Sequence, residues 1–577
     1  MLPLALRAPR TPALLPLPGK ASTEVGKLRL VAATKGDAMK GLMQDYPLAL
    51  PHIFERAEKL FPTKHLITAT ATGIERTSYE TWTERTRKLG GVLDDLGVSA
   101  DGRVATFGWN TAHHLELYFG APCSGRVLHT LNIRLFPEQL VYVANHAEDE
   151  VVFVDRTLIG PLWPLADKFK TVKHFVVMDD GAGDIPDDPR ILDYEKLLAD
   201  ASPVDFDIRD EDQAAAMCYT SGTTGEPKGV VYSHRSTVLH CMVTMLADAT
   251  GISESDVMLP IVPMFHANAW GAPYAGVFAG ADIVFPGPNM APDKLVDLIE
   301  SERVTITQGV PTIWMGVLPL LDGRDVSSLR SVTCGGSAVP KALSEGFRAK
   351  IGLPLEQGWG MTETSPVAAL CKVRSTVSER SEEELADVRA KQGVPVPLVD
   401  ARIVDDGGEE LPWDGIAFGE LQVRGPYIAS AYYNDPSSGE RFSKDGWLRT
   451  GDVATIDALG YIQLVDRTKD LIKSGGEWIS SVDLENEIMG HPQVAEAAVV
   501  GVAHPKWQER PLACVVAKEG ESVTKDDILG FLEGKIAKWQ LPDDIVFVDE
   551  IPKTSVGKFS KKDLRERFAD YQLPTIG

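Results

Sequence analysis

The densest chemistry in the chain lies in one short loop, Tyr219-Thr-Ser-Gly-Thr-Thr-Gly-Glu-Pro-Lys-Gly229. Gly222, Gly225 and Gly229 let the backbone turn back on itself and point its N–H groups at one place. Thr220, Ser221, Thr223 and Thr224 add hydroxyl donors, and Lys228 adds a positive charge. That combination suits a polyphosphate. It is not a Walker A loop, which needs Gly-Lys-Ser/Thr, because Gly225 is followed by Glu226-Pro227. Taken alone, a loop rich in Gly, Ser and Thr also reads as a solvated linker.

A second concentration of charge is the basic run Lys553, Lys558, Lys561, Lys562, Arg565 and Arg567. For most of these a solvated helix face is the better reading. The six cysteines, Cys123, Cys218, Cys241, Cys334, Cys371 and Cys514, are scattered with no CxxC spacing. Neither a metal site nor a disulfide framework is expected, and a reducing compartment fits.

These groups need a scaffold, and the chain supplies alternating helix and strand patterns. Thr77-Ser-Tyr-Glu80 reads as a capping box, followed at helical spacing by Trp82, Leu89, Val92, Leu93 and Leu96, with Gly97 closing the helix. Short apolar runs at 103–108, 151–154 and 174–178 read as buried strands. Strands alternating with helices imply βαβ units and largely parallel sheets, whose ligands sit in loops at the C-terminal ends of the strands. The stretch 375–391 is charge-rich and reads as an exposed helix or loop. Short strands at 401–404, 419–424 and 461–465 mark a β-rich subdomain. After Asp466 a fresh unit begins, with helices expected at 481–489, 525–538 and from 561, and strands at 494–502, 511–517 and 545–549. The expected fold class is α/β. It comprises a leader (1–45), a large domain of mixed and parallel sheets flanked by helices with the β-rich subdomain (46–465), and a small mobile α+β domain (466–577).

With 58 Lys and Arg against 82 Asp and Glu, the net charge of −24 argues against a nucleic-acid binder and against wide contact with anionic membranes. No apolar run is long enough to span a bilayer. The first acid is Glu24, and Pro3, Pro9, Pro12, Pro16 and Pro18 interrupt any signal-peptide core. The leader reads as disordered, as a mitochondrial transit peptide, or as an upstream start, with Met39 or Met43 as the true one. The expected location is cytoplasmic, with the mitochondrial matrix as the alternative.

The 219–229 loop resembles the signature of adenylate-forming enzymes: acyl- and aryl-CoA synthetases, luciferases and the adenylation domains of peptide synthetases. The resemblance covers residues 46–572, and further motifs follow in the family's order. Gly358-Trp-Gly-Met-Thr-Glu363 is similar to the family's adenine and magnesium motif. By that resemblance Glu363, with Thr223, holds Mg²⁺, Trp359 stacks near adenine and Thr362 contacts the α-phosphate, alongside Gly358 and Gly360. Gly335-Gly-Ser-Ala338 resembles the loop along the other face of adenine, with Ser337 and Ala338 facing the acyl site. Thr450-Gly-Asp452 resembles the ribose motif, with Asp452 accepting from the hydroxyls. Asp466-Arg467 resembles the hinge, with Arg467 reaching the nucleotide. Pro552-Lys-Thr-Ser-Val-Gly-Lys558 resembles the motif whose last lysine serves adenylation. Phe265-His-Ala-Asn-Ala-Trp270 resembles the motif at the acid site, where His266 positions the acid and Trp270 gates an acyl tunnel. The bland alternatives are a core histidine and a core tryptophan.

A finer resemblance, through His146-Ala-Glu-Asp149, Lys473-Ser-Gly-Gly-Glu-Trp-Ile-Ser480, His504-Pro-Lys-Trp-Gln-Glu-Arg510 and Lys538-Trp-Gln540, is to medium- and long-chain fatty-acyl-CoA synthetases. It is equally to bacterial methylmercaptopropionate–CoA ligases. Ala267 departs from the valine expected after the histidine, which leaves chain length open. The resemblance implies ATP, Mg²⁺, coenzyme A and a carboxylic acid as ligands, with room for a homodimer. It implies two half-reactions: Lys558 assists formation of an acyl-adenylate, then the small domain turns about Asp466 and presents Lys473, Gly475, Gly476 and Trp478 to coenzyme A. Competing readings are an adenylating enzyme with a carrier protein or oxygen as acceptor, and a non-enzymatic relative. The sequence shows no carrier domain or extra insertion, and it retains Lys558 and Glu363, so a CoA ligase is expected.

Overall fold

The computed structural model describes residues 41–220, 226–475, 477–554 and 558–574. Ser221, Gly222, Thr223, Thr224, Gly225 and Gly476 lie outside the described residues, as does most of the expected leader; residues 41–46 carry no regular structure and are exposed. Among the described residues no helix is long and apolar enough to cross a membrane.

Four sheets organise the described residues. In the first, strands 191–193, 174–178, 149–155, 103–107, 127–130 and 214–219 run parallel in that spatial order, and 229–233 closes the edge antiparallel. The second sheet has a parallel centre of 356–360, 331–335, 306–309, 257–260, 282–285 and 65–69, with antiparallel strands at each edge. Helices Leu50–Leu60, Tyr79–Asp95, Ala112–Cys123 and Ala272–Ala279 fill the space between these sheets. Alternate residues of one strand serve opposite faces: Val104 enters this central core, while Ala105 meets the outer layer around Leu140 and Val143. Burial on both faces explains the near-continuous apolar strands. Phe54, Trp82 and Phe119 form an aromatic nest at the centre, with Trp82 5.3 Å from each partner.

The β-rich subdomain is an antiparallel sheet of Asp400–Val404, Phe418–Arg424, Leu448–Ile456 and Ile462–Arg467. The small unit is a sheet of 477–479, 472–474, 508–517, 494–504 and 544–547, packed by helices Ser481–Met489, Lys525–Leu532 and Lys561–Arg567. The α/β class is as expected.

Four local expectations need correction. The first helix cap is Ser78, whose hydroxyl accepts the Thr81 N–H at 3.1 Å. Thr77 is consumed by strand pairing with Leu66, which shifts the cap one residue on. The helix expected at 525–538 stops at Leu532, because Gly534 takes a left-handed φ of +80°. The strand expected at 461–465 runs to Arg467, so Asp466 lies within the sheet. The charged stretch does contain a helix, Glu382–Arg389, capped by Ser381, but Leu385, Val388 and Arg389 are buried.

Candidate active site

The 214–219 and 229–233 strands form a hairpin, and the 220–228 loop springs from the C-terminal end of the first. Its base is tied: Thr220 N–H donates to the Lys228 carbonyl at 2.9 Å, and the Thr220 hydroxyl accepts the Lys228 N–H at 3.1 Å. Strands 331–335 and 356–360 bring Gly335 and Gly358 side by side at their own C-terminal ends. A side chain at Gly335 would stand 2.6 Å from the Gly358 carbonyl, and one at Gly360 only 1.8 Å from the Pro366 carbonyl. These glycines are therefore fixed by close backbone approach.

Together these strand ends open onto a cavity of about 690 Å³. Thr220, Lys228, His266, Trp270, Gly336 and Gly358 line it. So do Trp359, Gly360, Thr362, Glu363, Arg467 and Lys558. Asp452 is buried just behind: its Oδ2 accepts the Trp359 indole N–H at 2.9 Å, and its Oδ1 meets Arg467 Nε at 3.0 Å. That pairing raises the Arg467 pKa. Ser337 and Ala338 are outside the cavity lining, and Ser337 is exposed.

Glu363 is buried and accepts the Tyr432 hydroxyl at 2.5 Å. Burial, then the Glu363 charge, raises the Tyr432 pKa, so Tyr432 stays a donor. One buried carboxylate facing the cavity fits an Mg²⁺ ion shared with substrate phosphates, since that hard ion needs few protein ligands. Lys228 pairs with Asp435 at 2.9 Å and lies 4.9 Å over the Tyr432 ring. Hydrogen bonding to Ser437, then to Lys228, lowers the Asp435 pKa to about 2. Tyr432, Asp435, Ser437 and Arg441 also line the cavity, and sequence reading missed all four. The compact run Tyr432-Tyr-Asn-Asp-Pro-Ser437, with an Asx turn at Asp435, was the available signal.

Lys558 reaches the cavity from the small unit. Its N–H donates to Thr554 Oγ1 at 3.2 Å, and a side chain at Gly336 would lie 3.5 Å from its Cε. The neighbouring cations are paired: Lys553 with Glu496 at 2.7 Å, Lys561 with Glu485 at 2.8 Å, and Arg565 with Asp470. Among the described residues Lys558 forms no ion pair. Burial, then the Arg467 guanidinium, pushes its ammonium down to about 8, against the pull of Asp452 and Glu363. His266 is pushed down to about 3 by burial and then by Lys558, so it is neutral near pH 7. After it, Ala267, Asn268, Ala269 and Trp270 all take left-handed backbone angles, with φ between 41° and 58°. Such a run costs about 1–2 kcal/mol per non-glycine residue. The buried Asn268 helps to hold it, its Oδ1 accepting from Cys218 Sγ at 3.1 Å.

Asp466 is buried; its Oδ2 accepts the Ser481 N–H at 2.7 Å, and its Oδ1 accepts the Arg467 N–H at 2.7 Å. Lys473, Gly475 and Trp478 are elsewhere. They sit on the small unit's own sheet and do not line the cavity; Lys473 is exposed, 4.8 Å over the Trp478 ring. All six cysteines are free and buried, and no metal-holding cluster of His, Cys, Asp or Glu occurs among the described residues.

Comparison with known proteins places this geometry. A family model described as AMP-binding enzyme matches residues 54–433, and one for the AMP-binding enzyme C-terminal domain matches 483–558. A long-chain-fatty-acid–CoA ligase of Thermus thermophilus is 48% identical over 93% of this chain and 98% of its own. A 3-methylmercaptopropionyl-CoA ligase of Ruegeria lacuscaerulensis is 43% identical, covering 92% and 99%, and a medium-chain-fatty-acid–CoA ligase of Ectopseudomonas oleovorans is 40% identical, covering 93% and 98%. Among solved structures, ATP-bound MatB from Rhodopseudomonas palustris superposes with a TM-score of 0.78 at 29% identity over 90% of this chain and 99% of its own.

Proposed function

This chain belongs to the AMP-binding enzyme family, and from that premise we propose that it is an ATP-dependent acid–CoA ligase working through an acyl-adenylate, with a fatty acid as substrate. The observation that carries the reading is the meeting of Glu363, Arg467 and Lys558 around one cavity that Thr220 and Lys228 also line, with Asp452 buried behind it and paired with Arg467.

The chemistry follows from charge. A carboxylate attacking an α-phosphate brings two anions together, and a positioned cation lowers that repulsion. Lys558, unpaired in the cavity, is placed to bridge them. Lys228 and the loop's N–H groups hold the phosphates, and Asp452 takes the ribose hydroxyls. Mg²⁺ held at Glu363, with Thr223 as a second ligand, would neutralise charge on the phosphates. His266 is neutral and orients the acid; a carboxylate needs no deprotonation. The cavity lining also includes Ile252, Val367 and Leu370, apolar side chains that suit an alkyl chain. In the second half-reaction the small domain turns about Asp466, Lys558 withdraws, and the turn at Lys473–Trp478 meets coenzyme A. The domain boundary of this reading falls at Asp466, and the buried free cysteines support work in a reducing, cytoplasmic setting.

The test is product formation from ATP, octanoate and CoA. AMP, pyrophosphate and octanoyl-CoA are expected, and a series of acids of increasing length then fixes the preferred chain. Release of AMP with no thioester under any acid would count against the reading.

A further inference from the structure

A buried histidine–carboxylate pair that the proposed chemistry leaves unused stands behind His266. His129 and Asp149 are both fully buried, and His129 Nδ1 lies 2.8 and 3.0 Å from the two Asp149 oxygens. That contact puts the proton on Nδ1 and leaves Nε2 as an acceptor. Nε2 is out of reach of solvent and has no hydrogen-bond partner among the described residues. The His129 ring borders a small cavity of about 10 Å³, as do Val143, Thr220 and His266. Thr220 and His266 also line the main cavity, so they stand between the two. Other polar groups of the small cavity are already engaged. The Tyr219 hydroxyl pairs with His146 Nδ1 at 2.7 Å, Thr130 Oγ1 with Cys218 Sγ at 3.5 Å, and Asn132 Oδ1 accepts the Arg134 N–H at 3.0 Å. Thr220 Oγ1 accepts the Lys228 N–H, which leaves its own hydrogen to donate. The His266 ring forms no hydrogen bond among the described residues.

A buried acceptor, a free hydroxyl hydrogen and a neutral imidazole around so small a space match one ligand, a water molecule, which needs room of this order and two to four polar partners. We propose that a single water in this cavity accepts from the Thr220 hydroxyl and donates to His129 Nε2 and to the inward-facing nitrogen of His266, so that the Asp149–His129 pair makes His266 present its N–H to the acid. This rests on the reading of His266 as the group that orients the acid. His266 is neutral near pH 7, so it has one N–H to place, and the bond made by one ring nitrogen decides which of the two carries it. With the inward nitrogen accepting from the water, the proton sits on the nitrogen facing the main cavity, where a carboxylate or acyl oxygen accepts it. His129 is thus a positioning residue: it touches no substrate and acts through the water and His266.

Nitrogen-15 NMR of the histidine-labelled protein reads which His266 nitrogen carries the proton, with His266→Ala assigning the signals. The parent is expected to hold one tautomer. His129→Asn keeps an amide nitrogen for Asp149 but deletes the Nε2 acceptor, and should give a mixture of both tautomers. Val143→Ile, which fills the cavity and leaves the Asp149–His129 pair in place, should give the same mixture. In pyrophosphate exchange, His129→Asn should lower kcat/KM for the acid about fivefold, the worth of one neutral hydrogen bond. His129→Gln, whose terminal group reaches the Nε2 position, should recover most of that loss. In a His266→Ala background His129→Asn is expected to cost nothing further, since the two act as a unit. A His266 tautomer that both His129→Asn and Val143→Ile leave unchanged would overturn the proposal. Additive losses from His129→Asn and His266→Ala would overturn it as well, and make the buried pair a brace for the sheet alone. A parent protein that forms no acyl-adenylate with any acid would instead overturn the ligase reading beneath it, and the tautomer measurement would still decide the water bridge.

Discussion

Two segments of the same small unit each offer a lysine, and their surroundings differ sharply. Lys558 enters the main cavity beside Gly336, where burial, then the Arg467 guanidinium, lowers its pKa to about 8. Lys473, in the 472–474 strand, is exposed and rests on Trp478, away from that cavity. Both are ammonium groups on flexible stems, so residue type does not separate their roles. Orientation of the unit does: with Lys558 in the cavity, the Gly475 turn is outside it. In the proposed mechanism that wall of the site is exchangeable, and the two lysines belong to alternative walls.

The largest effect that would test this contrast is Lys558→Ala. It should slow adenylation by about 10²–10³-fold, the scale of losing one preorganised charge-stabilising group, while thioester formation from supplied acyl-adenylate persists. Lys473→Ala should invert the pattern, and pyrophosphate exchange against thioester yield separates the two; equal damage to both halves in either variant would erase the distinction. Next in size is pH dependence. The Lys558 ammonium sits at about 8, so its charge is present below that pH and lost above it. The kcat/KM for adenylation is therefore expected to be flat up to about pH 8 and then to fall about tenfold per unit, since this parameter reports the free enzyme. His266, at about 3, should contribute no limb between pH 5 and 8. Asp452→Ala strips the partner from both the Trp359 N–H and Arg467, and KM for ATP should rise about tenfold for the loss of charge-assisted hydrogen bonds of about 1.5–3 kcal/mol. The smallest change is Tyr432→Phe. It leaves Glu363 in place without its hydroxyl donor, and a loss of about fivefold in kcat/KM is expected from a bond of about 1 kcal/mol.

Much of the site was legible because its motifs are local. Gly335 and Gly360 announce tight backbone passages, and Thr450-Gly-Asp452 places a carboxylate on a strand that holds it in register with Arg467. The rest was not legible because it depends on partners far apart in the chain. Lys228 was read as a free charge, yet Ser437, 209 positions on, and Asp435 share it. Tyr432 finds Glu363 across 69 positions. The left-handed run at Ala267–Trp270 also gave no warning, since non-glycine residues adopt it only when the surroundings compel it. Ser337 and Ala338 show the converse, a motif whose last two residues fall outside the cavity lining.

By itself, then, the sequence determined the chemical groups available and the strand-loop frames that aim them, because glycine placement, hydroxyl spacing and strand periodicity act over a few residues. Only the tertiary structure decided which lysine stands at the main cavity, which acid pairs with Lys228, and which hydroxyl meets Glu363. Those outcomes turn on burial and on charges brought within a few ångströms from distant parts of the chain, quantities that no local pattern encodes.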